Sequence, residues 1–184
     1  MEIKITTSTM LKILYILSWI IFVGLCIEAG GFLTNTIYTL AISPNLASHF
    51  WGNLDLSNLY NYDAGQFFVV TTFMNIVAIL KAILFYSIIK VLHDRHLNMK
   101  QPFNHAIRKF ISGMAFNTLF IGLFSMWGKS YVIWLESKNV ALPSIDALKI
   151  DGHGIWFFMG VVLLVIAQIF KKGIEIQEEN ELTV

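Results

Sequence analysis

The chain has 184 residues, of which 56% are hydrophobic and only 14% are charged, and its mean hydropathy is +0.65. Soluble domains usually carry about 25% charged residues, so this composition excludes an ordinary soluble globular protein. The formal net charge is +1. This charge gives no basic field that would attract nucleic acid, and we expect no direct nucleic-acid binding.

Four apolar stretches follow one another along the chain, and each is about long enough to cross a bilayer. A helix rises about 1.5 Å per residue, so about 20 residues cross a hydrocarbon core of about 30 Å. We therefore predict an all-α integral membrane protein, a four-transmembrane-helix bundle that forms one domain over residues 1–184. The predicted spans cover residues 10–33, 66–92, 106–130 and 153–172, and an acidic tail covers residues 173–184.

The distribution of basic residues predicts the orientation. Residues 34–66 contain no Lys or Arg, whereas the connection over residues 90–109 carries five of them. Cytoplasmic loops are enriched in Lys and Arg. The charges therefore place both termini and the 90–109 connection in the cytoplasm, with two longer loops outside.

Local patterns predict where the second helix begins and which helix faces pack inward. Asp63 followed by Gln66 is typical of a capped helix start. Small and polar residues recur at helical spacing on the second and third spans, which predicts close packing along these stripes. The two stripes consist of Thr71, Asn75, Ala78 and Ala82, and of Thr118, Gly122, Ser125 and Lys129.

Polar residues within the spans are candidates for an intramembrane site because such residues usually face other helices or a cavity. From the helical rise, we expect Glu28 and Lys129 to lie at a similar height near the outer side and to pair. A deeper layer takes one residue from each span, namely Ser18, Lys81, Asn117 and Gln168. The layer fits a substrate or proton pathway. It also fits hydrogen bonding between helices, with Lys81 reaching the cytoplasmic interface.

No motif predicts catalysis, a cofactor or a metal, and we do not expect an enzyme. The only cysteine, Cys26, lies in the first span, so no internal disulfide is possible. The five histidines lie outside the middle of the spans, which disfavours haem. His93, His96 and His105 fit either a metal site or a basic turn. An enzyme at the outer face would use Asp55, Asp63, Asp151 and His153.

The tail concentrates negative charge directly after Lys171 and Lys172. It fits the solvated end of the fourth helix, or a docking peptide for a basic partner, because clustered carboxylates attract cationic surfaces. The candidate partner-binding residues are Glu175, Glu178, Glu179 and Glu181.

Three segments resemble the small bacterial membrane proteins grouped as domain-of-unknown-function family 2975. They are the end of the chain from Ile166 to Val184, Gln101-Pro102-Phe103 with the following Ile107-Arg108, and Asp63 to Phe67. The family ending often has Asp where this chain has Glu181. The resemblance implies four spans and no established catalytic residues. It also implies a gene next to that of a small helix-turn-helix regulator.

These observations predict a non-enzymatic regulatory or sensing protein in the bacterial cytoplasmic (inner) membrane. Its expected partners are the lipid bilayer and a cytoplasmic DNA-binding regulator. The sequence leaves open whether the chain also forms a homo-oligomer. The alternative is a small transporter, channel or ligand-binding membrane protein that uses the intramembrane polar residues. No cofactor is expected in either case.

Overall fold

The computed structural model describes residues 7–93 and 103–181, and in these ranges it is built from helices and connecting turns. Two short 3₁₀ turns, Pro44–His49 and Trp51–Asn53, lie between the first two α-helices. The α-helices are α1 Thr7–Ala41, α2 Ser57–Tyr62, α3 Ala64–His93, α4 His105–Glu136 and α5 His153–Glu181. All except α2 are long and apolar enough to cross a membrane, which confirms the predicted four-span, all-α fold.

The helix starts agree with simple capping chemistry. The predicted start of α3 is confirmed, because the Asp63 carboxylate accepts a hydrogen bond from the backbone N–H of Gln66 at 2.8 Å. At α4, the Asn104 side chain accepts one from Ile107 N–H at 2.9 Å. Each cap satisfies a backbone donor that has no partner within its own helix.

The four long helices pack in the order α1, α3, α4, α5. In the described residues, α3 packs against α1 and α4, and α4 packs against α5, whereas α1 and α5 do not pack against each other. The bundle is therefore open on one side, between its first and last helices. Both predicted inward stripes are confirmed, because their members are buried except for the half-buried Lys129.

The two long connections, residues 42–56 and 137–152, lie at the end of the bundle that we call the loop side. The opposite end of the bundle, where α1 begins and α5 ends, is the terminal side. Both connections fold back onto the helices. Phe50 is buried between the rings of Phe32 and Phe67, with centroid distances of 6.2 and 6.0 Å. Most of the apolar core therefore lies toward the loop side.

The fourth long helix begins beside the middle of its neighbour. A Cβ at Gly122 would lie 3.2 Å from the backbone carbonyl oxygen of His153, the first residue of α5. The second half of α4 instead packs against the returning connection, where Leu148 and Ile150 are fully buried. This stagger determines which polar groups meet inside the bundle.

Candidate functional site

A polar group within the spans is centred on Lys81. Its ammonium donates a hydrogen bond to the backbone carbonyl of Lys149 at 3.0 Å and lies 6.0 Å from the centre of the Trp156 ring. The Glu28 carboxylate attracts the same ammonium electrostatically, whereas the Lys149 ammonium repels it. We call these four residues the Lys81 site. It joins α1, α3, α5 and the connection that precedes α5.

The backbone at Lys149 has a left-handed conformation, with φ of 60°. This conformation is uncommon for a residue other than glycine and persists only where the surroundings hold it in place. Leu148 and Ile150 on either side are fully buried, and they anchor the turn. The turn presents the Lys149 carbonyl as an acceptor for Lys81, within the bundle rather than at a membrane surface.

Asn117 lies next to this site. Its side-chain N–H donates to the backbone carbonyl of Leu80 at 3.0 Å, which ties α4 to α3 one residue before Lys81. Lys81 itself lies about 25 Å along the axis from the start of α3 and about 18 Å from its end, at about 1.5 Å per residue. The site is therefore near the middle of the span.

The other two members of the predicted layer lie elsewhere. Ser18 is buried on α1, between Tyr15, which contacts His93, and Phe22, which contacts Tyr86. It is therefore level with the last turns of α3. Gln168 is exposed on α5. The structure brings Lys81 and Asn117 together but not Ser18 and Gln168, because the helices are staggered.

The predicted pairing of Glu28 with Lys129 is wrong for the described residues. Lys129 instead lies 3.8 Å from Asp151, just before α5. Glu28 is on α1 and Lys129 is on α4, and α3 lies between these two helices. Glu28 instead attracts Lys81 electrostatically. The hydrogen bond from Lys81 to the Lys149 carbonyl corrects the expectation that the Lys81 ammonium reaches the cytoplasmic interface.

A second polar contact, which includes Thr36, was missed by sequence reasoning. Asn75 donates from its side-chain amide to Thr36 Oγ1 at 3.2 Å and to the Thr71 carbonyl at 2.8 Å. This contact joins α1 to α3. Thr36 lies beyond the predicted end of the first span, so its helical face was not considered. Several side-chain atoms are buried without a hydrogen-bond partner in the described residues: Thr39 Oγ1, Asn75 Oδ1, Ser125 Oγ and His153 Nδ1.

The three acidic residues expected for an enzyme at the outer face have structural partners. Asp55 accepts hydrogen bonds from the backbone N–H and the hydroxyl of Ser57, which hold the pKa of the Asp55 carboxyl below its ordinary value. Asp63 caps α3, and Asp151 pairs with Lys129. No group of three metal-ligating side chains is found in the described ranges, 7–93 and 103–181. His96 lies outside these ranges.

Residues 173–181 of the predicted tail are a continuation of α5. Glu175 lies 3.8 Å from Lys171 and 3.3 Å from Lys172, and Glu178 lies 3.1 Å from His105 at the start of α4. Glu179 also has an interaction partner, and the Glu181 side chain lies outside the described part of the structure. The tail therefore presents its carboxylates from a helix, not from an extended peptide.

Aromatic packing holds the end of α5 against the residues at the start of α4. The Phe103 ring lies 5.3 Å from the Phe170 ring, and a Cβ at Gly173 would lie 2.5 Å from Phe103 Cδ1. Ile174, which follows Gly173, is buried as well. The extension is thereby connected to the start of α4.

Residues 51–184 match the family model described as a protein of unknown function (DUF2975). The match covers most of the chain and includes α2, α3, α4 and α5. No curated protein and no solved structure matches the chain.

Proposed function

Because the chain belongs to the DUF2975 family of proteins of unknown function, we propose its role from its own residues. It is a non-enzymatic regulatory protein of the bacterial cytoplasmic membrane, with both termini inside. It binds a cationic cytoplasmic protein, a small helix-turn-helix regulator, on the α5 extension. We define the α5 extension as residues 171–181. The four membrane-spanning helices anchor this surface to the bilayer.

The observation that carries this proposal is the ordered, acidic continuation of α5 beyond its apolar part. It is helical to Glu181 and contacts Phe103, which precedes α4, and His105, the first residue of α4. A surface that is already ordered loses less conformational entropy on binding than a free peptide does. The extension is therefore suited to present carboxylates to a partner.

The ion pairs of the extension leave it able to bind a cationic partner. The side chains of Glu175 and Glu178 keep 41% and 59% of their surface exposed while they face Lys171 and His105. Exposed ion pairs contribute about 0–1 kcal/mol each. A partner that brings several positive charges at once can replace these weak pairs. Long-range attraction would also accelerate its association.

The identity of the partner follows from the chemistry of DNA-binding proteins and from the implied gene neighbourhood. A DNA-binding protein carries a basic surface that contacts phosphates. The carboxylates of the α5 extension are negatively charged, as the phosphates of DNA are. Docking there would hold the regulator at the membrane and keep it from DNA.

The test is affinity purification of the full-length protein from native membranes in mild detergent. A basic helix-turn-helix protein should be retained by the wild type and released by raised salt. A variant with four Glu→Gln changes, at positions 175, 178, 179 and 181, should not retain it. A matched control carries Glu136→Gln and Asp146→Asn on the loop side and should behave as wild type. If the intact extension retains no such protein, the proposal fails.

A second candidate function is favoured by the Lys81 site. A lysine ammonium inside a membrane-spanning helix is costly and usually serves a ligand, an ion or a proton path. The alternative role as a ligand-binding, transport or channel protein therefore rests on Lys81, Glu28 and Asn117. Loss of ligand binding in a Lys81 variant, with the α5 extension unchanged, would separate it from the first candidate.

A further inference from the structure

Six basic residues of the described ranges lie near the terminal side, and each long helix contributes at least one. We call them the basic belt: Lys12 of α1, Lys90 of α3, Arg108 and Lys109 of α4, and Lys171 and Lys172 of α5. All are exposed except the half-buried Arg108. They form one surface only if they lie at the same depth, which the contacts between the helices determine.

The belt residues of α4 and α5 lie at one depth. A Cβ at Gly160 of α5 would lie 3.1 Å from Thr118 Oγ1 of α4. The two helices run antiparallel, so Arg108 and Lys171 lie on the same side of this contact, 10 and 11 residues away from it. At about 1.5 Å per residue, both are about 15–17 Å from the contact along the helix axes.

The belt residue of α3 lies at this depth as well. The Asn117 side chain of α4 donates a hydrogen bond to the Leu80 carbonyl of α3. Arg108 and Lys90 lie nine and ten residues from this contact, both toward the terminal side. Their depths therefore differ by about 2 Å.

Lys12 joins the belt through the contact between α1 and the end of α3. The Tyr15 hydroxyl lies 3.4 Å from His93 Nδ1. Lys12 precedes Tyr15 by three residues, and Lys90 precedes His93 by three residues. Each lysine is therefore within about 5 Å of this contact along its helix, and the whole belt is about 10 Å deep.

The belt lies where the apolar parts of the helices end. Residues 154–170 of α5 contain no charged residue, and Lys171 and Lys172 follow directly. Beside the belt, Ile13 of α1 and Ile169 of α5 are 57% and 58% exposed. Apolar residues exposed on a membrane-spanning helix contact acyl chains, and basic residues just beyond them reach the headgroups. The belt is therefore at the depth of the lipid phosphates on the terminal side.

The belt is a positively charged surface. Glu175 lies 3.8 Å from Lys171 and 3.3 Å from Lys172, so one carboxylate is shared by two ammonium groups. Exposed pairs of this kind are weak. On α1, Glu28 is about 24 Å along the axis from Lys12. The helix α3 contains no acidic residue, and the only one in α4 is its last residue, at the loop side.

We propose that the basic belt binds the headgroups of anionic phospholipids, such as phosphatidylglycerol, in preference to zwitterionic lipids. The phosphates accept hydrogen bonds from the belt residues, and the acyl chains cover the exposed apolar faces beside them. A zwitterionic headgroup brings a cation of its own, which the belt repels. A free anion or a nucleic acid has no acyl chains and matches only half of this surface. At Lys171 and Lys172, the lipid phosphate competes with Glu175.

The test measures the lipid preference of the purified full-length protein in liposomes by electron spin resonance. Spin-labelled phosphatidylglycerol is compared with spin-labelled phosphatidylcholine of the same chain length, and the motionally restricted fraction of each reports lipid in contact with the protein. The wild type should restrict more phosphatidylglycerol, and raised salt should reduce the difference. No partner protein is present, so the result is independent of the function proposed for the α5 extension.

Two double variants remove charges from the belt. One carries Lys171→Gln and Lys172→Gln, and the other carries Arg108→Gln and Lys109→Gln. Each should lower the preference for phosphatidylglycerol. The largest effect expected is about fivefold for each charge removed, because a basic residue near an anionic membrane surface contributes about that factor to binding.

A variant of opposite expected sign separates lipid binding from a general loss of structure. Glu175→Gln removes the carboxylate that competes for Lys171 and Lys172, so it should raise the preference for phosphatidylglycerol. Damage to the fold would not produce such an increase. Lys138→Gln, which removes an exposed lysine of the loop side, is the matched control for Lys172→Gln and should behave as the wild type does.

Three results would overturn the proposal. The first is equal restriction of the two spin-labelled lipids by the wild type. The second is an unchanged preference in both double variants when their size-exclusion profiles match that of the wild type. The third is displacement of spin-labelled phosphatidylglycerol by inorganic phosphate or by a DNA oligonucleotide, more effectively than by chloride at the same ionic strength, which would assign the belt to a soluble anion.

Discussion

Replacing Gly31 by alanine should displace Trp51 from the surface of α1. A Cβ built at Gly31 would overlap the indole of Trp51, with atoms well under 3.0 Å apart. The overlap involves the body of the ring rather than the flexible end of a side chain. Trp51 must therefore move away, and with it the 3₁₀ turn Trp51–Asn53 that packs on α1.

The size of the effect follows from the contact that is lost. Trp51 is 38% exposed, so about 150 Å² of a side chain that can bury up to about 250 Å² is covered. At about 25 cal/mol per Å², this gives an upper limit of roughly 4 kcal/mol. Overpacking usually costs about 1–3 kcal/mol, because the structure relaxes in part. The better helix propensity of alanine offsets about 0.5–1 kcal/mol.

The adjacent glycine provides the control. A Cβ at Gly30 would meet nothing within 4 Å, so Gly30→Ala should be neutral or stabilising by about 0.5–1 kcal/mol. The free energy of unfolding in mild detergent should be measured for both variants, together with protease cleavage within residues 42–56. Gly31→Ala should unfold more easily than Gly30→Ala and should be cleaved faster in this connection.

A double-mutant cycle tests the stated cause. Once Trp51→Ala has removed the indole, Gly31→Ala should cost nothing further, so the two changes should be strongly non-additive. Equal stability of Gly31→Ala and Gly30→Ala, with the connection protected in both, would refute the reasoning. Additive effects in the cycle would also refute it, because they would show that the indole is not what the new methyl group meets.

Three further predictions concern packing and pH. Thr36→Val removes an interhelical acceptor and should destabilise the bundle by about 0.6–1.7 kcal/mol. The Thr39 hydroxyl has no hydrogen-bond partner within the described ranges, so Thr39→Val should not lower the free energy of unfolding. A Cβ at Gly160 would lie 2.6 Å from Leu119 of α4, so Gly160→Ala should weaken α4–α5 packing by about 1–3 kcal/mol. A Cβ at Gly154 would meet nothing within 4 Å, so Gly154→Ala is the control, and equal thermal stability of the two variants would contradict the prediction. The lowered pKa of Asp55 means that its stabilising contribution is present at neutral pH and is lost as the pH falls below about 4, and Asp55→Asn should abolish this part of the pH dependence.

Several local features of the fold could be predicted from neighbouring residues. The Asp63 cap depends on residues within one turn, and the inward stripes of α3 and α4 depend on helical periodicity. The first helix shows the limit of this reasoning. Apolar composition predicted a span that ends at residue 33, but α1 continues to Ala41. Hydropathy identifies membrane-crossing residues and does not determine where backbone hydrogen bonding stops.

The candidate site was only partly predictable. Lys81, Asn117 and Glu28 were identified as intramembrane polar residues, but their partners were not. Depth was estimated by counting along each span separately, which assumes that all helices share one level. The beginning of α5 beside Gly122 shows that they do not. The acceptor of Lys81 is a backbone carbonyl, which has no signature in the sequence.

The sequence by itself determined that this is a multi-pass membrane protein with four apolar helices and an acidic segment after the last one. Hydropathy, helical rise and capping are local properties, so the order of residues is sufficient to predict them. Only the tertiary structure decided which helices are neighbours, that α1 and α5 leave one side open, and that Lys81 meets Lys149 and Trp156. These outcomes depend on the stagger of the helices and on the return of the 137–152 connection into the bundle. Both result from packing between residues that are distant along the chain.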